Sequence, residues 1–190
     1  MRWCTVSNNG KVLCVGTCPD TTPEESFTHM PGDIILSCPE CITNEYYYDN
    51  GVFTQMPPTP GPDYYFDFDS KSYVLDLTAY KTNAMGQINV IKISKLQEGI
   101  LFNGHYIAID PDSVAALNAA INAANNDSYS FSIDWITNDN SVLAISKSDL
   151  PSLSSVVWSK LTTIANTCRA LKDAILAATT KEEVDLVQWP

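Results

Sequence analysis

Five of the six cysteines fall in the first 41 residues, and their spacing comes closer to a chemical site than anything else in this 190-residue chain. Cys14-x3-Cys18-Pro19 and Cys38-Pro39-Glu40-Cys41 form two turn-borne pairs. Four thiolates from two such pairs satisfy the tetrahedral preference of zinc. The second pair has the spacing of a zinc knuckle, and the first carries one residue more. A disulfide competes for the same sulfurs. A three-residue loop at Asn8-Asn9-Gly10 sets Cys4 directly opposite Cys14, whereas a two-residue loop puts them on opposite faces, because a one-residue slip flips every side chain. Reduced thiols are the third reading, the ordinary state in a cytosol. The residues leave these three open, and no cofactor is assigned beyond the zinc reading. Cys168 stands apart on an apolar helical stripe and reads as a small buried hydrophobe.

His29 and His105 are the only imidazoles. Neither sits beside a nucleophile in a recognisable motif, and His105 just after a hairpin turn reads as a surface or packing residue. Asp67 with Asp69, and Asp110 with Asp112, are carboxylate pairs at i, i+2. In loops such pairs cap and turn, and the glycine and terminal glutamate of a calcium loop are missing. No phosphate-binding loop, dinucleotide glycine fingerprint or GxSxG is present. The residues therefore predict no catalytic site.

The densest surface signal is aromatic. Tyr46, Tyr47, Tyr48, Phe53, Tyr64, Tyr65, Phe66, Phe68 and Tyr73 crowd into fewer than thirty residues. A region this small cannot bury them all, and strand alternation exposes about half. Exposed Tyr and Phe beside a proline-rich segment favour protein–protein contact, so Tyr46, Tyr47, Tyr48, Tyr64, Tyr65, Phe66 and Phe68 are the expected binding residues. Stacking on sugar rings is a less specific reading. A small aromatic core with outward-reaching Tyr hydroxyls competes with both.

The elements that carry these residues follow from periodicity and turn chemistry. Residues 1–75 read as short strands and hairpins: Trp3–Ser7 with Lys11–Val15, Tyr46–Tyr48 with Val52–Phe53 around Asp49-Asn50-Gly51, and Tyr64–Phe68 with Tyr73–Leu75 around Asp69-Ser70-Lys71. Four prolines between Met56 and Pro62 make a stiff, extended connector. From residues 76 to 98 the pattern turns helical through Leu77, Tyr80, Ala84, Ile88, Ile91 and Lys95, a helix expected to connect two regions. Residues 99–190 predict an α+β unit. A hairpin turns at Asn103-Gly104, and a helix is capped by Asp110 ahead of Pro111. A second hairpin turns at Asn138-Asp139-Asn140. A long helix, with Ser148 as its expected cap, follows near 149–177 with the stripe Leu153, Val157, Leu161, Ile164, Cys168, Leu171 and Ile175. A terminal helix opens on a Thr180/Glu183 capping box. The fold class is thus α+β: a small N-terminal β-hairpin region, a connecting helix, and a C-terminal unit of two hairpins packed with helices.

Composition narrows the partners. A net charge of −11 with scattered Lys and Arg disfavours nucleic acid and anionic lipid. No apolar run reaches the ~18 residues of a membrane span, and the N-terminus lacks a signal-peptide core, so neither membrane insertion nor export is expected.

One resemblance adds to this. Gly99-Ile100, Phe102-Asn103-Gly104, Asp110, Ser113, Leu117, Ile133-Asp134-Trp135, Leu143, Ala170-Leu171, Ile175, Ala178-Thr179-Thr180, Glu182-Glu183 and Trp189 are the residues that carry it. They resemble a domain of unknown function at the ends of tailed-bacteriophage tail-fibre and tail-fibre-assembly proteins. Upstream, Tyr48-Asp49-Asn50-Gly51-Val52-Phe53, Pro57-Pro58-Thr59-Pro60-Gly61 and Tyr65-Phe66-Asp67-Phe68-Asp69-Ser70 look like the segment preceding that domain. The cysteine cluster departs from the pattern. The resemblance implies a non-enzymatic phage tail component, an adaptor or fibre-assembly chaperone that binds a tail-fibre or baseplate protein. It would be found in the virion tail, in the host cytoplasm during assembly, and in a possible homo-oligomer. A tail-associated enzyme or carbohydrate-binding module acting at the host surface is the alternative.

Overall fold

A computed structural model of the chain describes residues 2–17, 30–39, 42–126 and 131–190. The fold is α+β, and the chain divides into two compact units, residues 1–76 and 77–190.

In the first unit, β1 (Arg2–Val6), β2 (Val12–Thr17) and β3 (Ile34–Ser37) form an antiparallel sheet in the order β2-β1-β3. Two further hairpins follow, β4 (Tyr46–Asp49) with β5 (Val52–Gln55) and β6 (Tyr64–Asp67) with β7 (Ser72–Leu75). Alternation builds the core. Cys4, Val6, Val12, Cys38 and Ile42 are buried, and Val15, Leu36, Tyr46, Tyr48 and Phe53 close over them. The sheet is tied to the second hairpin by backbone, through a bridge between Lys11 and Tyr47 and the Tyr48 N–H donating to the Gly10 carbonyl at 2.9 Å.

In the second unit, α1 (Leu77–Glu98) leads into β8 (Ile100–Phe102) and β9 (His105–Ile107), then α2 (Pro111–Asn126). β10 (Ser132–Ile136) and β11 (Val142–Ser146) follow, then α3 (Leu150–Ala177) and the short α4 (Lys181–Asp185). Helix α3 is the spine. The first half of its stripe, with Leu150, Leu153, Val157 and Ile164, packs with Ile100, Phe102, Ile107 and Ile145 from the hairpins, Ile109 just after β9, and Leu117, Ala120 and Ala124 from α2. The second half, Cys168 and Ile175, packs with Ile88 of α1 and Val184 of α4.

The helix expected as a connector is therefore built into the second unit. Leu77, Tyr80, Ala84 and Met85 lie against the Cys168–Ile175 cluster. A stripe of that kind has to find an apolar partner, and the C-terminal half of α3 offers one. Asp110 caps α2 as expected, its Oδ1 accepting from the N–H groups of Asp112 at 3.0 Å and Ser113 at 3.1 Å. At α3 the expected cap moves by one residue. Asp149 holds the N-cap position but makes no side-chain cap bond. Its carboxylate instead accepts from the Ser146 N–H at 2.9 Å and the Ser146 hydroxyl, closing the turn that leads into the helix. At α4 the Thr180 hydroxyl accepts from the Glu183 N–H at 3.2 Å, and Glu183 reaches back to the Thr179 N–H at 2.6 Å. Among the described residues no helix is long and apolar enough to cross a membrane.

Candidate functional site

The described N-terminal cysteines divide, with Cys4 and Cys38 in one buried cluster and Cys14 exposed. The loop after β1 does have three residues, since the Ser7 N–H donates to the Lys11 carbonyl at 3.0 Å around Asn8-Asn9-Gly10. That register alone would bring Cys4 opposite Cys14. A bulge at Leu13 then shifts the ladder by one, so Val6 pairs with Val12 but Thr5 pairs with Cys14 and Cys4 with Val15. The Cys4–Cys14 pairing open from the sequence is corrected by that one extra residue: Cys4 faces the core, while Cys14 is exposed. Cys38 is buried beside Cys4 in the same cluster. Of the proposed zinc ligands, Cys14 and Cys38 therefore lie on opposite sides of the sheet surface, one open and one buried. Cys18 and Cys41 lie outside the described residues, as does His29. No group of three metal-capable side chains is assembled among the described residues. Cys168 is a buried free thiol on α3, as its stripe position predicts.

The aromatic residues do converge, chiefly on one another. Phe66 is the hub, with ring centroids 5.3 Å from Tyr47, 5.1 Å from Phe68 and 5.3 Å from Tyr73. Tyr48 stacks on Phe53 at 4.9 Å. The ammonium groups of Lys71 and Lys11 sit over the Tyr47 and Phe68 rings at 5.5 Å and 5.8 Å. The Lys71 ammonium also donates to the Asn9 carbonyl, so the third hairpin is pinned to the first turn. Of the seven expected binding residues, Tyr46, Tyr47, Tyr48, Tyr64, Phe66 and Phe68 are half-buried. Tyr65 alone is open, at 55% exposure, because it alternates away from Phe66.

Outward faces of three hairpins carry an apolar cross-strand pair each. Tyr65 lies opposite Val74 on β6–β7, Leu101 opposite Tyr106 on β8–β9, and Ile136 opposite Val142 on β10–β11. All six side chains are exposed. Beside the second pair, a groove of about 640 Å3 runs between β8 and α3, with Leu101, Tyr106, Val156 and Lys160 in its walls. Trp158 on α3 adds a further open indole, at 71% exposure.

One polar constellation escaped the sequence reading. His105 Nδ1 lies 3.1 Å from the Ser141 hydroxyl, a nucleophile-to-base distance. The third partner, however, is on the wrong residue for acyl transfer. Asp139 accepts from the Ser141 hydroxyl at 2.8 Å and from the Thr137 hydroxyl, not from the imidazole. Those bonds hold the Asp139 carboxyl down from the ordinary 3.8 to about 2, so it is a weak base that keeps the serine proton oriented toward itself. The same turn donates its Asn138 N–H to the Tyr106 carbonyl at 2.8 Å. The network thus fastens the β10–β11 turn to the edge of β9. Nothing in the sequence links His105 to Ser141 across 36 positions, whereas Thr137-x-Asp139-x-Ser141 is legible as a turn. The other carboxylate pairs act locally too. Asp67 accepts from the Asp69 N–H at 3.1 Å and the Ser70 N–H at 3.3 Å, and hydrogen bonds from Ser70 and Asp69 lower its pKa.

The family model of a domain of unknown function (DUF4376) matches residues 79–188, from the first turn of α1 to the residue before Trp189. That is more than half of the chain, and the chain belongs to this family. No curated protein and no solved structure matches it.

Proposed function

We propose that this protein is a non-enzymatic component of a bacteriophage tail, an adaptor or fibre-assembly chaperone that binds a tail-fibre or baseplate protein. The observation that carries the reading is that each unit exposes apolar cross-strand pairs, Tyr65/Val74 in the first and Leu101/Tyr106 and Ile136/Val142 in the second. An outward-facing apolar pair adds only about 0.2–1 kcal/mol to its own hairpin, and aromatic side chains with adjacent aliphatics are what the centre of a protein interface is made of. The resemblance of the C-terminal residues and of the Tyr48–Phe53 and Tyr65–Ser70 segments to tail-fibre-associated chains supplies the class of partner. The half-buried Phe66 cluster supports the binding face from beneath, and Tyr65 is its anchor. In this reading the protein works in the host cytoplasm during assembly and in the virion tail.

Co-expression with the fibre and baseplate proteins of the same phage, followed by pull-down, tests the proposal. A standard interface buries ~800 Å2 per partner, with a few aromatic anchors dominating. Tyr65→Ala is expected to weaken association by ~1–3 kcal/mol with the thermal midpoint unchanged. Retention of full affinity by residues 77–190 alone would remove the N-terminal unit from the interface.

A further inference from the structure

We propose that Cys4 and Cys38 form a redox-responsive pair, which an oxidant of the peroxide class closes into a disulfide across the buried face of the N-terminal sheet. Register places them. Cys4 pairs with Leu36 across β1 and β3, and the Cys38 N–H donates to the Arg2 carbonyl at 3.0 Å, so Cys38 sits opposite Arg2. Arg2 and Cys4 are two apart on β1 and share a face, which makes Cys4 and Cys38 diagonal neighbours on that face. Both belong to one core cluster, at 0% and 8% exposure. Cys14 is paired with Thr5, off this face, and Cys168 belongs to the other unit. Diagonal Cα atoms in a sheet are ~7–8 Å apart, against an upper limit of roughly 6.8 Å for a disulfide, so closure asks for a shift of about 1 Å. Cys38 can make it, because β3 ends at Ser37.

The chemistry balances with one peroxide. Cys38 is the partner with some solvent access, so its thiolate attacks a peroxide oxygen. The S–O bond forms, the O–O bond breaks, and the leaving hydroxide takes up the thiol proton as water. The Cys4 thiolate then attacks the Cys38 sulfenic sulfur. The S–S bond forms, the S–O bond breaks, and hydroxide leaves with the Cys4 proton as a second water. Two thiols lose two electrons and two protons, and the peroxide is reduced to water. Burial, with Cys38 beside it, pushes the Cys4 thiol up to about 12, which makes the second step slow at neutral pH. Once closed, the bond ties β1 to the end of β3 and restricts the unfolded chain between them, stiffening the first unit in an oxidising environment.

The experiment uses the full-length protein, reduced, desalted and treated with hydrogen peroxide. It is then blocked with N-ethylmaleimide and mapped by mass spectrometry after non-reducing digestion. The expected product is a cross-linked peptide pair holding Cys4 and Cys38, with Cys14 and Cys168 still alkylated, reversed by dithiothreitol. Cys38→Ser abolishes the cross-link and Cys14→Ser leaves it intact. Slower amide exchange in β1 and β3 accompanies oxidation in the wild type and is absent in Cys38→Ser. The proposal is overturned if both thiols remain alkylatable, if either is joined to a different cysteine, or if Cys38 proceeds to the sulfinic acid without a cross-link. Should Cys38→Ser not fold by circular dichroism, the wild-type peptide map decides alone.

Discussion

Replacing Gly99 with alanine should damage the second unit far more than the same change at Gly104, although both residues have left-handed φ, +72° and +82°. Gly99 ends α1 and starts β8. A Cβ there would stand 2.2 Å from the Ile107 carbonyl oxygen, 2.9 Å from its carbon and 3.2 Å from the Asn138 amide nitrogen. Two of those three atoms are backbone, so no rotamer relieves the overlap. Strand β9 must retreat by the better part of an ångström, in a hairpin where Ile100 pairs with Ile107. An L-residue in the left-handed region costs about 1–2 kcal/mol. Loss or stretching of one or two ladder hydrogen bonds adds about 0.5–1.5 kcal/mol each. Fully buried Ile107 and Ile109 move with the strand, so the Gly99→Ala total is about 3–5 kcal/mol. At Gly104 nothing lies within 4 Å of a Cβ, and only the conformational cost remains, about 1–2 kcal/mol. Native-state hydrogen exchange at α3 amides reports the stability of this unit separately from the other. A gap between the two variants of about 1–4 kcal/mol is expected from these same magnitudes. Equal losses would refute the argument, because they would mean that the β9 backbone gives way freely and that the close approach carries no energy.

Four further outcomes follow from single side chains. Leu153→Ala, at a completely buried position on α3, should cost about 3 kcal/mol or more in urea titration, and a loss below ~1 kcal/mol would mean the α3 seam is not the core. Phe66→Ala should cost about 2–4 kcal/mol because it removes the hub of three ring contacts, whereas Tyr65→Ala should stay within ~0.5 kcal/mol, and thermal melts of the pair check the contrast. The Asp139 carboxyl, lowered from 3.8 to about 2 in the folded chain, contributes stability that is present above its unfolded pKa and is lost as pH falls through that window; acid unfolding monitored by Trp fluorescence should be shallower there in Asp139→Asn. Thr180→Ala should cost about 1 kcal/mol and speed exchange at the Glu183 amide, and unchanged exchange there would argue against the cap.

What the sequence disclosed and what it withheld divide along one physical line. Turns, caps and stripes depend on residues within four positions of each other. Hence Asn103-Gly104, Asp110 ahead of Pro111, the Thr180/Glu183 start and the α3 stripe were all readable, and so was the α+β class they add up to. Registers and tertiary neighbours depend on one residue more or less, and local pattern is blind to that. The three-residue loop at Asn8-Asn9-Gly10 implied a Cys4–Cys14 match, and the bulge at Leu13 cancelled it, handing Cys4 to Val15 and to the neighbourhood of Cys38. The aromatic excess followed the same logic. Composition could count the rings between Tyr46 and Tyr73, and alternation could say that half point outward. Only the packing of β6–β7 against Tyr47 decides that Phe66 and Phe68 are half-buried against other rings while Tyr65 is left exposed. The His105–Ser141–Asp139 group was invisible for a deeper reason. A hydroxyl between an imidazole and a carboxylate takes its chemistry from which neighbour holds the proton. Here the acid belongs to the serine's own turn, two residues away, so the network locks a loop to a strand edge. With the carboxylate on the imidazole the same three residue types would have the connectivity of a catalytic relay, and no count of residue types distinguishes the two.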